Sequence, residues 1–140
     1  ILIVCFISAI LVLGQALIGL VHTVTDVSDG LVADLGHICA LARVGAQLKV
    51  SSIPISTGAR AALDMAPDLL TNFLSSGDDY ELVFTAPAAA RDALARIASS
   101  TGVMITEIGE VVDTPGVVVF DTDGSEIRIQ HAGYEHFWDL

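Results

Sequence analysis

The chain has 140 residues, 17 acidic and 6 basic, with a formal charge of −11, which is the size of one domain with a single hydrophobic core. Lys49 is the only lysine, so counterion release at a phosphate backbone has almost no source, and DNA and RNA are excluded as natural partners. Two cysteines, Cys5 and Cys39, without a CxxC pair or a His/Cys spacing suited to zinc, argue against a disulfide framework or zinc module and fit a reducing cytosol.

Residues 1–20, ILIVCFISAILVLGQALIGL, carry only Ser8 and Gln15 as clearly polar side chains and approach the length that spans a bilayer as a helix. No basic leader or Lys/Arg asymmetry flanks them, and the chain does not begin with methionine. A buried helix cut from a longer protein is therefore preferred to a membrane anchor or a leader. The folded domain is expected over 21–140, with the membrane disfavoured as a partner.

Val21, Thr23 and Thr25 predict a short strand that ends at the cluster Asp26-Val27-Ser28-Asp29-Gly30. A helix over 29–43 follows, with Ser28 able to cap it through its hydroxyl, Leu31, Leu35, Ile38 and Ala42 on one face, and Gly45 as the stop. A strand is expected over 46–55 up to the break at Pro54, and one or two short helices over 56–74, with Pro67 in a first turn. A second acidic cluster, SSGDDYEL (75–82), opens the strand YELVFTA, and a helix begins near Pro87 and closes at Gly102. VMITEIGEV, GVVVF and EIRIQ read as strands, the last two joined through the Asp-Gly turn of DTDGS. The fold class is α+β, a mixed β-sheet with helices packed on one face.

Each acidic cluster admits two readings. A carboxylate at a helix N-terminus is stabilised by the dipole and by free N–H groups, which accounts for Asp29 as a simple cap. Asp26 is not explained that way, because it precedes Ser28 by two residues and projects from the end of a strand. The alternative is a magnesium-bound phosphate: Mg²⁺ takes one or two carboxylates and keeps its waters, while Ser28 and helix N-terminal amides meet phosphate oxygens. SSGDDYEL is either a solvated turn or a second wall of the same site. No GxxxxGK[ST] loop and no Ser/His/Asp or Cys/His order is present. The histidines, His22, His37, His131 and His136, are scattered, and none is assigned to a metal.

DVSDGLVADLGHI, SSGDDYELVFTAP, ITEIGEV and the terminal GYEHF, in that order, resemble the C-terminal domain of thiamine-monophosphate kinase over residues 21–138. DxSDG alone would reach only the wider superfamily of aminoimidazole ribonucleotide synthetase and its relatives. The resemblance implies the C-terminal fold of that superfamily and an ATP- and Mg²⁺-dependent phosphorylation of thiamine monophosphate to thiamine diphosphate. It implies that Asp26 and Asp29 bind magnesium, that Ser28 contacts ATP phosphates, and that Asp78 and Tyr134 contact the substrate. Asp78 stands where the family carries a glutamate, so its reach is one methylene shorter. An aromatic face at Tyr134 suits a cationic thiazolium, although a terminal aromatic also serves as a core anchor. The acceptor is an ionised phosphate oxygen, so no general base is required.

Family members are longer, with an N-terminal domain that supplies further aspartates, nucleotide contacts and the surface through which two subunits pair as a homodimer. The arginine expected upstream of DVSDG has no counterpart, because the first basic residue is Arg43. The chain is accordingly expected to be a cytoplasmic fragment with little kinase activity by itself. The alternatives are a non-catalytic phosphate- or nucleotide-binding module and a membrane-anchored domain.

Overall fold

In the computed structural model, residues 1–6, 10–75, 81–127 and 129 are described. The run Leu2–Phe6 forms β1, and the apolar stretch after it forms α1 (Ile10–Leu17). There follow β2 (Thr23–Val27), α2 (Leu31–Ala42), β3 (Gly45–Lys49), α3 (Thr57–Met65), α4 (Leu69–Ser75), β4 (Glu81–Thr85), α5 (Arg91–Thr101), β5 (Ile105–Val112), β6 (Gly116–Phe120) and β7 (Glu126–Ile127). The seven strands make one sheet in the order β2-β4-β1-β5-β3-β6-β7. Every pairing is antiparallel except β3 with β6, so the sheet is mixed, as expected.

The placement of β1 corrects the reading of residues 1–20. Leu2–Phe6 is a strand and Ile10–Leu17 a helix, and β1 lies between β4 and β5 inside the sheet. Leu2, Ile3 and Val4 are each no more than 2 % exposed, which requires cover on both sheet faces. Among the described residues no helix is long and apolar enough to cross a membrane.

Helices cover both faces of the sheet, which corrects the expectation of one covered face. On one side α2 lays Leu31, Val32, Leu35 and Cys39 over Leu2, Val4, Val27, Val83, Ile108 and Val119. On the other, Leu13 and Leu17 of α1 and Leu94 of α5 close over Ile3 and Phe84. Adjacent residues of β4, Val83 and Phe84, are both fully buried, one in each cluster. Burying one such side chain contributes on the order of 1.5–3 kcal/mol, so the two-sided core carries most of the stability.

Local boundaries differ in instructive ways. The strand expected over 46–55 stops at Lys49, and a 3₁₀ turn over Val50–Ser52 takes its place. The buried stripe of α2 contains Val32 and Cys39, whereas Ala42 is exposed. Ser56 caps α3, its hydroxyl accepting the Ala59 N–H at 3.1 Å. Pro67 precedes α4 and accepts the Leu70 N–H through its carbonyl. Gly102 closes α5 in a left-handed conformation at φ 69°. The Asp-Gly turn joins β6 and β7, held by the Asp121 N–H on the Ser125 carbonyl at 2.8 Å.

Candidate metal and phosphate site

Among the described residues β2 lies at one edge of the sheet and pairs only with β4. In that register Asp26 stands opposite Leu82 and Val27 opposite Glu81. Paired residues share a face, and strand side chains alternate, so Asp26 belongs to the α1/α5 side while Val27 enters the α2 core. Asp26 is exposed at the strand end, the position that capping could not explain. The chain then turns through exposed Ser28 and half-buried Asp29 into Gly30, which adopts φ 120° and ψ 147°.

The start of α2 differs from the expected cap. Its N-cap is Gly30, with no side-chain hydrogen bond, so the Ser28 hydroxyl does not cap the helix. Asp34, one turn inside α2, does the tying instead. One of its oxygens, Oδ2, accepts the backbone N–H groups of both Ser28, at 2.8 Å, and Asp29, at 3.0 Å. Asp34 is 8 % exposed and is the one buried polar or charged residue among those described. This pair of hydrogen bonds fixes the turn between strand and helix. Two of the amides expected to meet a phosphate are therefore already satisfied.

Asp34 was missed at the sequence level, although a signal existed. An acid enclosed by Leu31, Val32, Ala33 and Leu35 in the first turn of a helix must either find a partner or lose its charge. The nearest donors are the amides of the preceding turn.

The second acidic cluster lies partly outside the described residues, and Asp78 is among those outside, as is Tyr134. Its two flanks are described, and both adjoin the first loop. Glu81 pairs with Val27, and a Cβ placed on Gly30 would stand 2.7 Å from the Ser75 carbonyl oxygen. Beside this junction opens a cleft of about 280 Å³, walled by Leu31, Ile53, Pro54, Ile55 and Phe73, with Glu81 at its lining.

Two accessible carboxylates in one turn offer hard oxygen donors of the kind Mg²⁺ accepts while keeping most of its waters. Asp26 and Asp29 are the candidates for that role, whereas Asp34 is occupied with main-chain amides. Among the described residues no group of three or more His, Cys, Asp or Glu side chains is arranged to hold a metal. A complete chelating cage is thus not formed by the described residues alone. Elsewhere, burial raises the pKa of Cys39 in the core beneath α2. On the other sheet face Arg91 Nε and Nη2 each reach a Glu107 oxygen at 2.8 Å, and this hydrogen-bonded pairing lowers the Glu107 pKa.

A mixed seven-stranded sheet whose edge strand delivers a DxSDG turn into a buried helix defines an AIR synthase-like C-terminal domain. Residues 6–122 match the family described as AIR synthase related protein, C-terminal domain, and the chain belongs to that family. It is similar to thiamine-monophosphate kinase of Escherichia coli strain K12, at 36 % identity over 124 residues, covering 89 % of this chain and 38 % of that protein. The solved thiamine-monophosphate kinase of Stenotrophomonas maltophilia K279a superposes with a TM-score of 0.72 at 45 % identity, over 82 % of this chain and 35 % of that one. AaThiL complexed with AMPPCP and TMP superposes with a TM-score of 0.66 at 26 % identity, over 88 % and 36 % of the two chains. The chain therefore spans little more than a third of the length of the curated relatives it matches.

Proposed function

We propose that this chain is the C-terminal portion of a thiamine-monophosphate kinase and supplies part of the site that transfers the γ-phosphoryl group of ATP to thiamine monophosphate. Asp26 and Asp29 hold Mg²⁺, Ser28 meets ATP phosphates, and Asp78 and Tyr134 touch the thiamine-bearing substrate. The observation that carries this reading is the β2–β4 register, which sets Glu81 opposite Val27 and brings the flanks of the Asp78 cluster to the DVSDG turn. Similarity to thiamine-monophosphate kinases supports the choice of substrate, and the neighbour complexed with AMPPCP and TMP supports a nucleotide.

Phosphoryl transfer is dominated by positioning and charge neutralisation, and Mg²⁺ supplies the latter when bound. The residues' own part is to hold oxygen donors at the sheet edge, with a cleft lined by Glu81 opening on the α2 face of the same edge. Because the matched relatives are much longer, we infer that the 140 residues do not complete the active site. Pairing of two subunits and a cytoplasmic location belong to the same proposal.

The test is thermal stability with ATP and thiamine monophosphate, with and without Mg²⁺. Binding at a hundredfold excess over Kd raises Tm by roughly 5–10 °C for a domain of this size. The rise should require Mg²⁺ and vanish in the Asp26→Asn, Asp29→Asn double variant, without kinase turnover at an ordinary rate. A shift indifferent to Mg²⁺ or to those substitutions would overturn the metal assignment, and turnover by the isolated chain would overturn its incompleteness.

A further inference from the structure

We propose that Asp34 is a positioning residue for the DVSDG turn: it occupies the Ser28 and Asp29 amides and sets Asp26 and Asp29 as oxygen donors to a cation. The proposal rests on the metal reading of that turn and adds to it a residue that touches neither metal nor substrate.

The geometry is specific. A strand end, a three-residue turn and a helix start must be joined so that two carboxylates stay accessible to solvent. An unrestrained Ser28–Gly30 segment would sample many conformations, each with a different separation of the two acids. Oδ2 of Asp34 removes that freedom by accepting two successive N–H groups, at 2.8 and 3.0 Å, from a position inside α2 that is 8 % exposed. The carboxylate is anchored in turn by the helix, whose Asp34 N–H donates to the Gly30 carbonyl at 3.0 Å, and by its neighbours Leu31 and Leu35 in the core. The turn therefore presents carboxylate oxygens outward, while its own Ser28 and Asp29 amides point to an internal anion. A phosphate approaching the Ser28 and Asp29 amides would find both already occupied by Asp34.

Both bonds fall on one oxygen, so an asparagine carbonyl can replace it, whereas alanine cannot. That difference separates positioning from charge. The experiment measures Mn²⁺ affinity by titration, together with hydrogen exchange at the Ser28 and Asp29 amides, in the 140-residue chain and its Asp34→Asn and Asp34→Ala variants. Loss of an outer-shell hydrogen bond weakens metal binding by about 10–100-fold, which is the fall expected for Asp34→Ala, with exchange at both amides faster by about tenfold or more. Asp34→Asn should keep Mn²⁺ affinity within about threefold and retain slow exchange, since the acceptor remains.

A folded Asp34→Asn chain that loses affinity as Asp34→Ala does would overturn the proposal, because Asp34 would then act through its charge. Unchanged exchange at both amides in Asp34→Ala would overturn it as well. If Asp34→Ala does not fold, the asparagine variant decides alone by the same two readouts. Failure of the parent chain to take up Mn²⁺ would instead overturn the metal reading beneath it, and amide exchange would still report whether Asp34 holds the turn.

Discussion

Replacing Gly30 by alanine should unfasten the two halves of the candidate site from each other. Gly30 sits at φ 120° and ψ 147°, beside a region of backbone space that residues with a Cβ scarcely enter, at a cost of about 1–3 kcal/mol. Its added methyl would also stand 2.7 Å from the Ser75 carbonyl oxygen, 2.8 Å from the carbonyl carbon and 3.1 Å from the Ser75 Cα. All three are main-chain atoms at the end of α4, so no side-chain rotation relieves the contact. Forced repacking of this kind adds about 1–3 kcal/mol. The combined loss is about 2–6 kcal/mol, a large share of the 5–15 kcal/mol that holds a typical domain together, and it lowers Tm by roughly 5–20 °C. Gly14 provides the control, because it lies on the exposed side of α1 with nothing within 4 Å of an added Cβ. There the same chemical change should stabilise by about 0.5–1 kcal/mol through lost freedom of the unfolded chain. Urea denaturation of the two variants beside the parent measures both signs. A Gly30→Ala chain within about 1 kcal/mol of the parent would refute the close approach of Ser75 to the turn.

Two further outcomes follow from ionisable groups away from the turn. The Glu107 pKa is lowered chiefly by its hydrogen bond to Arg91, so the stability it contributes is complete above the ordinary carboxylate pKa and is lost as pH falls through the depressed folded value. Glu107→Gln should therefore be less stable than the parent near neutrality and should converge with it in acid. The difference should also shrink with added salt, since both side chains are about half exposed; a difference that stays flat down to about pH 2 would contradict the pairing. Cys39 is 2 % exposed, and burial raises its pKa, so alkylation of the folded chain, read by mass spectrometry on the Cys39 peptide, should proceed only through unfolding. Labelling at the rate of a free thiol would refute its burial.

Most element types were legible because local chemistry specifies them: the Asp-Gly turn before β7, Gly102 at the end of α5, and the stripe of Ala90 and Leu94 all act within a few residues. The apolar run of residues 1–20 misled because composition alone does not separate a membrane-length helix from a strand followed by a helix. The unbroken apolar character of Leu2–Val4 and of Leu82–Phe84 was nevertheless the mark of strands covered on both sides. Alternation can be read only where one face meets water.

At the site, the residue types and order of DVSDG nominated Asp26 and Asp29 as candidate metal donors and separated Asp26 from helix capping. Which group holds the turn before α2 was decided by tertiary structure. The Ser28 hydroxyl and the Asp34 carboxylate are both plausible partners along the chain, and only the burial of Asp34 under the sheet makes its hydrogen bonding obligatory. Likewise, DVSDG and the Asp78 cluster lie some fifty residues apart in the sequence, and no local pattern relates them. Their flanks meet because β2 and β4 pair in one register, and that register follows from side chains packing on two faces of a sheet.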